Sequence, residues 1–258
     1  MSETISAQVP APASRVAPRI ADSRTPSDRR FYIIAAVIML LFTAEGFRNF
    51  LLHGKTLDGA INAQIAPLII VHGLAMLGWV IVFLVQCALI QTGRRKLHLA
   101  IGPFGVLLGA AIVILGPLVA MFSVHFNQAA YENLGGPKFF LAMMFMQMLM
   151  FGSFVGLGWF YRRKPQIHRP MMLLATLVIQ SGSLSRTPYV WNLSRPPLYV
   201  QTPVLVFGAL LFFLQWAMSK SPNRTYLKGY AALSAASLAS VAVGHSELWT
   251  HLATRLTP

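Results

Sequence analysis

The stretch PLIIVHGLAMLGWVIVFLVQCALIQ, residues 67–91, contains no charged residue and is followed at once by TGRRKLH. A helix needs about 20 mostly apolar residues to cross the roughly 30 Å of hydrocarbon in a bilayer. A cluster of arginine and lysine directly after such a run is typical of a short loop on the cytoplasmic side of a membrane. The stretch therefore predicts a membrane-spanning helix.

Six further apolar runs of similar length are spread over the chain. Together they predict an all-α fold, a polytopic transmembrane helix bundle of about seven spans. The predicted spans cover about residues 31–52, 67–91, 99–122, 139–161, 170–188, 199–218 and 229–245. The last is the weakest, because it is short and rich in alanine and serine, and it could lie against the bundle rather than cross.

The composition favours the same fold. Of the 258 residues 55% are hydrophobic and only 11% are charged, whereas a soluble domain carries about 25% charged residues. The net charge of +14 comes from basic residues in the N-terminal segment and the short loops. This placement predicts membrane lipids, with anionic head groups, as partners rather than nucleic acid. No motif of a soluble enzyme, such as HExxH or GxSxG, is present, which argues against an enzyme.

The chain divides into three predicted segments: a disordered basic tail 1–30, a helical bundle 31–245 and a short C-terminal tail 246–258. The basic clusters at 94–98, 162–169 and 220–228 fall on the same side of the predicted bundle as the N-terminus. The positive-inside rule then predicts a cytoplasmic N-terminus in a bacterial inner membrane.

Three ionisable residues fall in the outer third of the predicted bundle. Helix rise places Glu45 and Arg186 at nearly the same height, and His72 opens its span near the same boundary. Ionisable groups at this depth are costly and predict an outer ligand or proton pocket, as in a transporter for a proton or small solute. The alternative is a structural ion pair between Glu45 and Arg186, with His72 at the membrane interface.

A second group of polar residues follows one helix face. His72, Trp79 and Gln86 are spaced by seven residues, which places them on one stripe of the second span. Such a stripe is expected to face the bundle, toward Gln147 and Gln180 on other spans. These residues either join helices through hydrogen bonds or line a ligand path.

A third group lies on the predicted cytoplasmic side. His98 and His168 each open a helix beside arginines. If the two hairpins pack together, the two imidazoles could approach and bind a metal or a haem, with haem b as the candidate. The alternative is anchoring on lipid phosphates. The predicted inner contacts are Arg95, His98, Arg163, His168 and Arg169.

The stretches VHGLAMLGWVIVFLVQCALIQTGRRKLHLAIG (71–102) and RRKPQIHRPMMLLATLVIQSGSLSR (162–186) carry a family resemblance. They resemble a widespread group of uncharacterised bacterial polytopic membrane proteins with HG, W, Q, R and H motifs and an HRPMMLLAT-like segment, over roughly residues 67–190. The chain departs from that pattern at Leu99, where arginine tends to follow the histidine, and at Ile70, where a second histidine is frequent. The resemblance implies an architecture but no activity.

A fainter similarity, in the segments RKLH (95–98) and IHRPMMLLAT (167–176), links the chain to small membrane proteins associated with the assembly of haem-copper oxidases. Three functions therefore stay open at the level of sequence: binding of a haem or quinone, transport through the outer cluster, and an accessory role with other membrane-protein subunits as partners.

Overall fold

The computed structural model describes residues 26–56, 59–60, 62–186 and 201–256. These residues are helical apart from turns and one hairpin made of two strands of two residues each. The structure thus confirms the predicted all-α class. The helices are α1 Pro26–Gly46, α2 Arg48–His53, α3 Ala66–Gln91, α4 Arg95–Phe126, α5 Pro137–Phe160, α6 Pro165–Leu184, α7 Thr202–Ser219, α8 Arg224–Gly244 and α9 Glu247–Leu256. A 3-10 helix covers Gln128–Leu134, and β1 (Lys55–Thr56) pairs antiparallel with β2 (Gly59–Ala60).

Five of the described helices, α3, α4, α5, α7 and α8, are long and apolar enough to cross a membrane. They indicate a membrane protein. Helix α8, the weakest of the predicted spans, is one of the five. Helices α1 and α6 occupy the places of the first and fifth predicted spans but are not among these five.

Helix α6 lies at the centre of the bundle. It contacts α1, α3, α5, α7 and α8, and 13 of its 20 residues are buried. A helix that is enclosed by other helices needs no lipid-facing surface, so it can carry hydroxyl and amide groups when these find partners. Its Ser, Thr and Gln side chains bond to neighbouring helices and to its own backbone.

Several predicted boundaries are wrong. Helix α1 begins at Pro26, inside the predicted tail, and the first predicted span is divided at Phe47 between α1 and α2. The predicted C-terminal tail forms α9, whose Trp249 indole donates to the carbonyl of Lys138 at 2.7 Å. The rest of the predicted N-terminal tail, the facing ends of the fifth and sixth predicted spans and the last two residues lie outside the described residues.

The two ends of the bundle differ in charge. At one end α3 passes into α4 and α5 passes into α6, and the two turns carry four basic residues, Arg94, Arg162, Arg163 and Lys164; we call it the arginine-rich end. The carboxylates whose side chains the structure describes lie at the opposite end: Glu45 closes α1, Glu132 lies between α4 and α5, and Glu247 follows α8. The candidate site lies at the arginine-rich end.

Candidate functional site

A cavity of about 850 Å³ opens at the arginine-rich end, between α1, α3, α4 and the turn that joins α5 to α6. Ligand sites in proteins typically enclose roughly 300–1,000 Å³ and combine an apolar wall with a few polar groups. Side chains of Val82, Phe83, Val106 and Met172 supply apolar wall here. The cavity is therefore large enough for a cofactor-sized molecule.

Two histidines face one another across helices at this cavity. His98 lies in the first turn of α4 and His168 in the first turn of α6, and their ring centroids are 6.2 Å apart with the ring planes at 86°. Nδ1 of His168 lies 2.8 Å from the carbonyl oxygen of Gly158. Since a carbonyl oxygen only accepts, Nδ1 carries the proton and Nε2 is left as the acceptor or metal-binding atom.

The cavity wall formed by the middle of α3 contains Trp79. Its indole N–H donates to the hydroxyl of Thr176 on α6 at 3.1 Å, and its ring meets Phe151 edge to face at 5.0 Å between centroids. One polar atom on the same cavity, Oε1 of Gln86, is buried without a hydrogen-bond partner among the described residues. Buried polar atoms are nearly always bonded, so a bound molecule is a natural partner for it.

The charged side chains that line the cavity, among those described, are all positive. Arg29, Arg95, Arg162 and Arg169 line the cavity, and no aspartate or glutamate does so among the described side chains. The Arg162 guanidinium lies 4.6 Å from the centre of the Trp159 ring and donates to the Trp159 carbonyl at 3.2 Å, so it is fixed as part of the wall.

Four of the five predicted inner residues line this cavity, namely Arg95, His98, His168 and Arg169, whereas Arg163 does not. The predicted approach of the two histidines is what the packing of the two hairpins produces. Sequence reasoning missed Arg29 and Tyr32 because they were assigned to the tail or to its edge. Their spacing of three residues places them on one face of α1. This relation can be recognised only when the helix is known to begin before Arg29.

The predicted outer cluster does not assemble. The ion pair of Glu45 is with Arg48, at 3.9 Å and largely exposed. Arg186 lies over the Phe47 ring at 5.1 Å and donates to the Gly182 carbonyl at 2.7 Å. The expected pairing of Glu45 with Arg186 is therefore wrong, because Glu45 pairs with Arg48 three residues later and Arg186 bonds the carbonyl of Gly182 four residues earlier.

His72 lies apart from Glu45 and Arg186. Its Cε1 atom is 3.6 Å from where a Cβ on Gly116 of α4 would lie, and the same point is close to the Met148 side chain of α5. The helix stripe thus turns His72 toward α4 and α5. An outer pocket for transport finds no support in this arrangement.

The structure separates the four bundle-lining residues into two pairs. Trp79 and Gln86 line the cavity. Gln180 instead joins α6 to α1 by donating to the Thr43 hydroxyl at 3.1 Å, and Gln147 joins α5 to α6 by accepting from Ser181 at 2.9 Å. As expected of the stripe, Trp79 faces the bundle, where it bonds Thr176 of α6 and meets Phe151 of α5. The two glutamines of those helices form hydrogen bonds between helices and do not line the cavity.

A double-mutant cycle should show the separation of the outer residues. We expect Glu45→Gln and Arg186→Gln to change the free energy of unfolding independently, with a coupling energy below about 0.5 kcal/mol, the value for sites without shared contacts. Thermal unfolding of the purified single and double variants in mild detergent measures it. A coupling energy above about 1 kcal/mol, the scale for directly interacting groups, would show that Glu45 and Arg186 interact after all.

Metal binding by the protein alone has a weak basis. Within the described ranges no group of three or more His, Cys, Asp or Glu side chains could hold a metal ion. The iron of a haem makes a smaller demand, since the porphyrin supplies four ligands and the protein one or two. No family model, curated protein or solved structure gives a significant match to the chain.

Proposed function

We propose that this chain is an integral membrane protein that binds a lipophilic redox cofactor in the cavity at its arginine-rich end. Haem fits the residues best, with a quinone as the second candidate. The observation that carries the proposal is the meeting of His98 and His168, from two separate hairpins, at one cavity of about 850 Å³.

The membrane setting belongs to the same proposal. Seven helices, α1 and α3–α8, cross a bacterial inner membrane with the N-terminus in the cytoplasm. The basic turns before α4 and α6 then lie on the cytoplasmic side, as the positive-inside rule requires, and the cavity opens in the cytoplasmic leaflet. The asymmetry between arginines at one end and the described carboxylates at the other supports this direction.

The histidine environment supports haem. A metal-binding histidine usually donates its other ring N–H to a backbone carbonyl or a carboxylate, which fixes the ring and its tautomer. His168 does so through Gly158. His168 and His98 would hold the iron and Trp79 would pack against the porphyrin; the bound haem would supply one-electron transfer.

A quinone draws on other groups of the same cavity. The side-chain amide of Gln86 and the imidazole of His98 can donate to its two carbonyl oxygens, and the apolar wall suits its isoprenoid chain. The Oε1 atom of Gln86 has no hydrogen-bond partner among the described residues, and as an acceptor it suits a hydroxyl of the reduced quinone.

The test is the absorption spectrum of the chain purified in mild detergent from haem-replete cells. We expect a Soret band whose intensity per protein falls at least tenfold in His168→Ala and changes in position or intensity in His98→Ala. His53→Ala is the matched control, because His53 is exposed on α2 and lies away from the cavity; it should keep the wild-type spectrum.

A colourless preparation is then extracted with organic solvent and its quinone content measured. Quinone at near one per protein, reduced in Gln86→Leu, would replace haem by the second candidate. A folded protein with neither haem nor quinone would contradict the proposed function.

A further inference from the structure

We infer that α9 is an interfacial helix, whose leucines Leu248 and Leu252 lie among the acyl chains of the leaflet at the end opposite the arginine-rich end. The partner of this surface is thus a lipid bilayer. This placement rests on the membrane setting of the proposed function and not on its cofactor.

The residues of α9 divide between an apolar and a polar side. Leu248 and Leu252 are four residues apart, and so are Trp249 and Ala253, so that two apolar rows run side by side along the helix. The other side carries exposed polar residues, namely Glu247, His251 and Thr254. A helix divided in this way is typical of the boundary between water and hydrocarbon.

The row of Trp249 and Ala253 holds α9 against the bundle. Ala253 is fully buried in a cluster with residues of α4 and α5, and the Trp249 ring meets Phe145 of α5 edge to face at 5.8 Å between centroids. The bundle therefore occupies one half of the apolar side. The other half stays outside, with Leu248 exposed at 72% and Leu252 at 46%.

The surface around α9 belongs to helices that can cross a membrane. Helices α4 and α5, whose residues contact α9, and α8, which precedes it, are all long and apolar enough to do so. Phe122 and Phe126 at the same end of α4 are also exposed. The two leucines of α9 thus extend an apolar surface that the spanning helices already turn outward, and in a bilayer such a surface meets acyl chains.

The turn before α9 keeps it near the level where α8 ends. Helix α8 ends at Gly244 and α9 begins at Glu247, so only two residues join them. The backbone N–H of Trp249 donates to the Ser246 hydroxyl at 3.2 Å, a bond typical of the residue that caps the start of a helix. Tryptophan is also enriched at the membrane–water boundary. Helix α9 therefore begins at the membrane surface.

A second copy of the chain is the rival occupant of the leucine row. A stable protein interface takes about 800 Å² from each partner, which is more than two leucine side chains on a helix of 10 residues offer. Lipid needs no matching surface, because its chains fill any apolar outline. Lipid is therefore the occupant that fits this row, and the rival predicts a different result in the test.

The test places one fluorescent label at chosen positions of the full-length chain in nanodiscs. Cys87, the one cysteine of the sequence, is first removed by Cys87→Ala. Leu248→Cys and Leu252→Cys then report on the leucine row, and His251→Cys and Thr254→Cys are the matched controls on the polar side of the same helix. Phosphatidylcholine with brominated acyl chains quenches labels in hydrocarbon, and iodide quenches labels in water.

We expect brominated lipid to lower the emission at positions 248 and 252 by about half or more, and iodide to act mainly at the two control positions. Labels at 248 and 252 that respond to iodide instead would overturn the inference. Labels that neither quencher reaches would overturn it too, and two chains per nanodisc would then assign the leucines to a contact between copies.

A label introduced by Leu107→Cys separates this inference from the proposed membrane setting. Leu107 lies near the middle of α4 and is 67% exposed, so its label should be quenched by brominated lipid. If it is not quenched, the membrane setting itself fails. If it is quenched and the labels on the leucine row are not, only the placement of α9 fails.

Hydrogen exchange of the α9 amides in nanodiscs gives a measurement without labels. Leucines held in hydrocarbon stabilise the docked helix, so Leu248→Gln combined with Leu252→Gln should speed exchange at least tenfold. The matched pair His251→Gln with Thr254→Gln should leave it near the wild-type rate. Equal rates in the two pairs would mean that the leucines gain nothing from their surroundings, which contradicts burial in lipid.

Discussion

Replacing Gly46 with alanine should lower the free energy of unfolding by about 2 to 3 kcal/mol, near the upper end for overpacking a well-packed site. Gly46 closes α1 and lies against α6, where an added Cβ would meet the Ser183 backbone, with its Cα at 2.6 Å and its carbonyl carbon at 2.7 Å. Backbone atoms cannot change rotamer, so the two helices must move apart. The Thr43–Gln180 bond across the same interface would lengthen with them.

The matched control is Gly156→Ala. Gly156 lies in α5, is exposed, and has no atom within 4 Å of an added Cβ. The gain in helix propensity from glycine to alanine is up to about 1 kcal/mol, so this variant should be as stable as the wild type or slightly more so. Thermal unfolding in mild detergent compares the two. A Gly46→Ala protein as stable as Gly156→Ala would mean that α1 and α6 are not in close contact here.

The fold class follows from the sequence because lipid imposes one rule on every span: a long apolar run must be helical. The rule works best for α3 and α4, which face lipid over much of their length. The rule gives less information about α6, because its polar side chains form hydrogen bonds with residues of other helices that the sequence does not identify. It also hides the break at Phe47, since apolar residues continue on both sides of it.

The inner site was partly predictable for a related reason. His98 and His168 open helices after equivalent basic turns, so pairing of the hairpins brings them together. Arg29 belongs to a helix that starts five residues before the first predicted span, and its part in the cavity depends on α1 packing against α3. The periodicity of apolar residues along the sequence does not reveal such contacts between helices that are distant in sequence.

The outer cluster shows the limit of reasoning from depth. Glu45 and Arg186 lie on helices that do contact each other, α1 and α6, and their predicted heights agree. Direction around the helix decides the outcome, however, and each residue has a partner three or four residues away on its own chain segment. Local partners cost less conformational entropy to hold than distant ones, so equal height does not imply contact.

We expect the largest functional effect from a bulky side chain that fills the cavity, because it should prevent the cofactor from binding. Gly102 in α4 lines the cavity, and an added Cβ would meet no atom within 4 Å. Gly102→Trp therefore introduces an indole into open space without forcing helices apart. It should reduce bound cofactor at least tenfold, because the ring and a cofactor cannot occupy the same volume.

Gly156→Trp is the control for this variant, since Gly156 is equally open but lies outside the cavity lining. A tryptophan near the end of a membrane helix is well tolerated, so the control should keep its cofactor and its spectrum. Absorption per protein, followed by organic extraction, measures occupancy in both variants. If the two tryptophan variants hold equal amounts of cofactor, the binding site lies elsewhere in the bundle. If only Gly102→Trp is empty while both unfold at the same temperature, the loss comes from occupied space rather than damaged structure, because the two substitutions add the same side chain to the same kind of helix.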